Sequence, residues 1–438
     1  MKNWLKTISY VDICLVVTNT IVLFFAVNLI VSIFFLAKDK ISASSNQGTT
    51  RNAVISQGGL FDDAGAPVDN GRRTSYQTAW FDYTAYEGIV DETYAGTVLD
   101  DFTNLSARGF AYEPWVQFSE PLYQGKLVHV DVDAQGLPKR RTVNVGPSAK
   151  SSVIRIFTFG GSTTFGYNVS DEHTWSSYLS SLLNQRAEML GQDVRVEVTN
   201  YGRGYYYTTQ EVLLLMSLLR RGQRPHLVIF LDGVNEDQSC RDAPYFTERL
   251  QEAMDNLQAE HQQSLIQKID WLPIVRLIEG IRFNTITEHD KPDVKTNDCY
   301  TNLAKTPELG SESAAQYEQN VRIARIVSSL YAVKTLFFLQ PDATYNYPIE
   351  LYRNVEAKTV ILQNRKYAEE FYDKAKSTEG VIDLTSLFKE WGHGRKAIVD
   401  DVHYSPRFNE FLAQHVVDQI DLASVKQGAP GLPDMQSK

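Results

Sequence analysis

An α/β fold, a parallel sheet with helices on both faces, is predicted for residues 151–425 by three observations. Short apolar runs rich in β-branched and aromatic residues recur from residue 153 onward. Helix-length stretches separate them. The first three runs each lead into a glycine- or asparagine-bearing turn. The runs at 153–159, 194–198, 227–231, 333–339 and 381–384 read as strands, because continuous apolar character over so few residues suits strands buried on both faces. The stretches at 175–190, 209–221, 311–331 and 355–375 are long enough for crossover helices.

The preceding chain divides by composition. Residues 1–10 form a short tail, and residues 11–37 are almost all apolar, with Asn19 and Asn28 the main exceptions. About 25 helical residues reach roughly 37 Å, enough to cross a hydrocarbon core of about 30 Å with tilt. A cleaved signal peptide is the competing reading, with Ser42-Ala43-Ser44 as a candidate cleavage site, but its apolar region normally spans only about 7–15 residues. Lys2 and Lys6 before the span and Lys38 and Lys40 after it give no clear charge bias. So early a span acts as a signal-anchor, which puts the large domain outside the cytoplasmic membrane, in the periplasm or beyond. Residues 38–75, rich in Ser, Asn, Gly and Asp, read as a linker.

Residues 76–150 read as a β-rich extension packed on the main domain. Val128, Val130 and Val132 alternate with His129 and Asp131, Asp133 to Gly136 supplies a turn, and residues 141–145 return as a second strand. Within the main domain, residues 241–310 exceed a simple crossover and read as an insertion over the site. Residues 426–438 form a tail.

Composition narrows the function mainly by exclusion. A net charge of −10 without any Lys/Arg block argues against a nucleic-acid partner. The His residues are scattered without metal-ligand spacing, so neither metal nor other cofactor is expected. No protein partner is indicated. Cys14 lies in the apolar span, leaving Cys240 and Cys299 in the soluble part. A disulfide between them suits an exported domain; two separate buried thiols fit the count equally.

Four segments carry candidate chemistry. Gly160-Gly161-Ser162 follows the first strand, so Ser162 would open a helix at the carboxyl end of the sheet, where open α/β sheets bind ligands. Gly161 and Gly166 have phosphate-loop spacing, but Tyr167 stands where that loop needs Lys. A serine hydroxyl needs an adjacent base held by a carboxylate. Asp400 and His403 supply both on one turn, with Asp401 a competing carboxylate. Donors for a developing oxyanion would be the Ser162 N–H, the Asn235 side chain after the third strand, and Gly204 or Gly202 after the second. Tyr205, Tyr206 and Tyr207 next to that block would line a substrate groove or pack at a helix start.

The order and spacing of these blocks resemble the SGNH (GDSL-like) hydrolases over roughly residues 151–422. Ser162, Asn235 and His403 match that family's blocks, and Asp400 matches its carboxylate three residues before the histidine. The first block reads Gly-Gly-Ser-Thr rather than Gly-Asp-Ser-Leu, Glu236 stands where Asp is usual, and Phe408 stands where Gly often occurs. No catalytic group is lost. The resemblance implies a flavodoxin-like three-layer sandwich and a serine esterase or deacylase. Its substrate would be an O-acyl ester, most simply an O-acetyl ester on cell-envelope carbohydrate. An O-acyltransferase with the same triad, a lipid esterase and a non-catalytic glycan-binding scaffold are the alternatives.

Overall fold

The computed structural model describes residues 10–45, 83–86, 90–146, 150, 152–236, 306–351, 355–392 and 396–427. Cys240, Cys299 and nearly all of the expected insertion at 241–310 lie outside them, as do most of the linker and the C-terminal tail.

The first helix, α1 (Tyr10–Ser45), belongs to a different compact unit from the other described elements. It runs beyond the expected end at residue 37, so the linker's first residues are helical. Its stretch Cys14–Ser32 is long and apolar enough to cross a membrane. Three of its polar side chains turn back on the helix: Thr20, Asn28 and Ser32 donate to the carbonyls of Val16, Phe24 and Asn28. An apolar environment requires such internal satisfaction.

The second unit holds one eight-stranded mixed sheet in the order β10-β9-β8-β6-β7-β5-β4-β3. Five strands are parallel: β6 (Ser152–Gly160), β7 (Val194–Asn200), β8 (Leu227–Asp232), β9 (Lys334–Leu339) and β10 (Val381–Asp383). Renumbered among themselves, they run 2-1-3-4-5, the flavodoxin-like order. The other three are antiparallel: β3 (Tyr123–Gln124), β4 (His129–Val132) and β5 (Pro138–Arg140), with β5 meeting β7 at Arg140 and Asn200. The sheet is therefore mixed rather than wholly parallel. The expected return strand at 141–145 falls earlier, at β5, because the turn closes tightly: Asp133 N–H donates to Leu137 O, and Asp133 Oδ1 accepts from Gln135 and Leu137. A separate hairpin pairs β1 (Ala111–Glu113) with β2 (Gln117–Ser119).

Alternation along the strands builds two cores. Ile154 and Ile156 of β6 and Leu227, Ile229 and Leu231 of β8 face α4 (Trp175–Met189) and α10 (Pro406–Asp418). Phe157 and Phe159 with Val228 and Phe230 face α5 (Thr208–Arg220), α6 (Pro307–Ser329) and α8 (Val355–Ala375). The extension adds α2 (Glu92–Ala107), which was not anticipated. Val98, Phe102 and Leu105 of α2 pack on Tyr123, Val128 and Val130. Short helices α3 (Ser162–Phe165), α7 (Ala343–Asn346), α9 (Leu387–Trp391) and α11 (Leu422–Gln427) complete the described α-helices.

Candidate active site

Two parallel strands diverge in their connections at the carboxyl edge of the sheet. β7 lies on one side of β6 and β8 on the other, the crevice where doubly wound sheets place ligands. Gly160 ends β6 with φ of 152°, and a Cβ there would stand 2.7 Å from Leu231 O, so only glycine fits this close crossing. Ser162 then opens α3. Its hydroxyl and N–H make no hydrogen bond among the described residues, whereas the Gly161 carbonyl accepts from Thr164 and Phe165. The turn is braced by Asn200, whose side chain donates to Thr164 O (2.7 Å) and accepts from Gly202 N–H (2.8 Å).

Asn235 follows β8. Its Nδ2 donates to Tyr206 O at 2.9 Å and lies 2.3 Å from where a Gly161 Cβ would be. The Asn235 amide therefore sits directly against the residue preceding Ser162. The two glycines are placed differently. Gly204 N–H donates to Glu120 Oε1 at 2.6 Å, and Gly202 N–H is held by Asn200, so both are engaged within the protein. Tyr206 and Tyr207 are buried as core side chains; Tyr205 is half-buried, with φ of 62° and its ring against Phe110. Packing, rather than a groove lining, describes the first two.

Asp400 and His403 meet as expected from their spacing. His403 Nδ1 lies 2.6 Å from Asp400 Oδ2, while Asp400 Oδ1 accepts the N–H groups of Val402 (2.9 Å) and His403 (2.7 Å). His403 Nε2 is buried with no hydrogen-bond partner among the described residues. Burial pushes the Asp400 carboxyl up, but the charge of His403 and these hydrogen bonds outweigh it and hold it below the ordinary carboxylate value. Burial lowers His403, and the carboxylates of Asp400 and Asp401 more than reverse this, leaving it raised. Asp401 is pushed up to about 7 by burial and by the neighbouring Asp400 charge. Among the described residues, Asp400, Asp401 and His403 are also the one cluster with metal-ligand proximity. The Asp400–His403 hydrogen bond already uses two of its ligand atoms.

The sequence profile of the family described as GDSL-like Lipase/Acylhydrolase matches residues 156–416, a span that includes Ser162, Asn235, Asp400 and His403. The chain belongs to the GDSL-like hydrolase family. Solved structures similar to this GDSL-like hydrolase include an acetyl xylan esterase, AlAXEase (12% identity, 61% of this chain and all of that one, TM-score 0.31). Others are a lipolytic G-D-S-L protein from Veillonella parvula (11%, 60% and 97%, TM-score 0.31) and a variant of the acetyl xylan esterase Axe2 from Geobacillus stearothermophilus (16%, 63% and 96%, TM-score 0.30). A search of curated protein sequences gave no match.

Several supporting groups went unnoticed in the sequence. The Tyr167 ring stacks on His403 with centroids 5.3 Å apart and planes at 21°, and its hydroxyl donates to Glu120 Oε1 at 3.1 Å. Burial raises the Glu120 carboxyl, partly offset by the Arg203 charge and the Gly204 N–H. Arg140 is fully buried and donates to Phe165 O (3.2 Å), Val169 O (2.9 Å) and Asp171, gripping the segment after α3. None of these residues falls in a recognisable motif.

Proposed function

We propose that this GDSL-like hydrolase is a membrane-anchored serine esterase that removes acyl groups from O-acyl esters by way of an acyl-enzyme. The observation that carries the reading is the oriented Asp400–His403 pair, whose buried Nε2 has no partner among the described residues, with Tyr167 and Asn168 of the segment that Ser162 begins lying against its two members. Ser162 Oγ attacks the acyl carbonyl while His403 Nε2 takes its proton. Asp400 holds the Nδ1–H tautomer and stabilises the imidazolium. The Ser162 N–H and the Asn235 amide hold the oxyanion. Because Gly204 N–H is engaged by Glu120, it is left out of this set. The tetrahedral intermediate collapses, the alcohol leaves with the proton from His403, and water repeats the cycle to release the acid and regenerate Ser162.

The apolar helix α1 supports anchoring; the reading places the catalytic unit outside the cytoplasmic membrane. An enzyme confined to that surface suits O-acyl, most simply O-acetyl, esters of cell-envelope carbohydrate. The test is hydrolysis of a chromogenic acetyl ester by the full chain in detergent. Ser162→Ala should lower kcat/KM by roughly 10³-fold or more. Retained turnover in that variant would end the serine-esterase reading. Acyl transfer to an added acceptor sugar, in place of free acetate, would reassign the second half-reaction to a transferase.

A further inference from the structure

Asp400 Oδ2 serves two donors. One is His403 Nδ1; the other is Asn168 Nδ2, also at 2.6 Å. Asn168 lies six residues after Ser162 and is 2% exposed. Its backbone is left-handed, with φ of 60°, a conformation Asn tolerates better than most residues. That conformation carries its amide to Asp400, 232 positions along the chain. The backbone carbonyl of Asn168 accepts the buried Tyr86 hydroxyl from the 3-10 turn Tyr83–Tyr86. The residue immediately before it, Tyr167, lies flat against His403. Two consecutive residues of the nucleophile's own segment thus hold the other two members of the proposed relay.

We propose that Asn168 is a positioning residue for this esterase: its amide fixes the Asp400 carboxylate relative to Ser162 and draws charge from the oxygen that holds His403. The inference rests on the Ser162–His403–Asp400 reading above. A carboxylate oxygen that donates charge into a second hydrogen bond has less to offer the first. Removing the Asn168 amide therefore has two separable effects. The geometry of Asp400 loosens, and the remaining negative charge concentrates on His403, making the imidazole more basic. The ionisable groups facing the pair are Asp401 from the same turn, Tyr167 and Tyr86; Glu120 lies beyond Tyr167. All of them are unchanged in a variant at 168.

Two variants separate this role from backbone strain. Asn168→Gly accepts the positive φ without penalty and deletes the amide. Asn168→Asp keeps shape and φ but sets an acceptor against Asp400. In both, kcat/KM for a small acetyl ester should fall about 10–100-fold, the worth of one charge-assisted hydrogen bond. The acid limb of the pH profile should also move upward by roughly 0.5–1 unit, more in the Asp variant. The same shift should appear without turnover, in the NMR titration of His403 in the 15N-histidine-labelled full chain in detergent, assigned with His403→Gln. A uniform loss of activity with an unmoved acid limb would mean a structural role only and would overturn the proposal. So would an unchanged His403 titration. Ser162→Ala, assayed alongside, reports separately on the esterase reading: activity that survives it condemns the relay, whereas the titration of His403 still judges Asn168.

Discussion

In Glu211→Gln an amide replaces one of two buried carboxyls that meet beneath the Asn235 segment. Glu211 on α5 and Asp232 at the end of β8 are 0% and 3% exposed, and no side-chain oxygen of either has a donor among the described residues. Their side chains face each other, and a proton held between them satisfies the pair. Burial, reinforced by the charge of Asp232, keeps Glu211 well above the ordinary carboxylate value, and burial lifts Asp232 from 3.8 to about 7. A raised carboxyl pKa means the folded chain holds a proton that the unfolded chain has released. The stabilisation relative to the ionised state is full below about pH 4 and is lost as pH rises through about 7. Three units correspond to about 4 kcal/mol at most. The amide introduced by Glu211→Gln can donate to an ionised Asp232, removing most of that dependence. At roughly 1–2 °C per kcal/mol for a domain of about 300 residues, the Tm of the variant should gain several degrees on the wild type between pH 5 and pH 8. Thermal unfolding of both proteins in detergent across that range measures it. A Tm difference that stays constant with pH, or that turns against the variant at pH 8, would show that no proton is shared at this pair.

Two further outcomes concern the site. Asp400→Ala should lower kcat about 10⁴-fold, as expected when a histidine loses its tautomer-fixing partner. Asp401→Ala should cost under about tenfold, and should move the acid limb of the kcat/KM profile downward, because Asp401 only adds negative charge near a raised His403; the reverse ranking in steady-state kinetics would exchange their roles. Gly161→Ala keeps an ordinary backbone conformation but drives a methyl to 2.3 Å from Asn235 Nδ2. It should cost about 10²–10³-fold in kcat with little change in Tm, the signature of a displaced oxyanion donor, and a wild-type kcat would remove Asn235 from that role.

The parallel strands were legible because burial on both faces leaves continuous apolar runs: β6 reads Ser-Val-Ile-Arg-Ile-Phe-Thr-Phe-Gly and stands within a residue of its expected ends. The long helices between them were legible for a related reason, since each must cover a face of the sheet. Helix α2 was missed although its signal is present. Asp91 caps it through the Tyr94 N–H, and the buried Ala95, Val98, Leu99, Phe102 and Leu105 recur at helical spacing. The neighbouring aromatics, which the tertiary core needs, obscured that period. Helix α10 was likewise passed over, with Ser405 as N-cap, Pro406 in the first turn and Phe408, Leu412, Ala413 and Val416 on its buried face. At the site, Ser162, Asn235, Asp400 and His403 could be read because each sits at a strand end or on one short turn. The fate of Gly204 could not, because its N–H is taken by Glu120, 84 positions away in the extension.

That engagement shows why the extension cannot be treated as an appendage. Its strand β5 pairs with β7 at Asn200, the residue that braces the Ser162 turn. Arg140 on the same strand is buried beside the segment 165–171 and spends its donors on that segment's carbonyls and on Asp171, which also holds His129 at 2.5 Å. Glu120 caps Gly204 and holds Tyr167 against His403; Tyr86 holds the carbonyl of Asn168, whose amide holds Asp400. Each link is a buried polar contact, and such contacts cost more to break than they contribute net when formed, because the abandoned partner remains desolvated. The span that matches the family holds Ser162, Asp400 and His403. In this chain Tyr167 and Asn168, from the serine's own segment, touch His403 and Asp400 directly, and Glu120, Tyr86 and Arg140 of the extension hold that segment in turn.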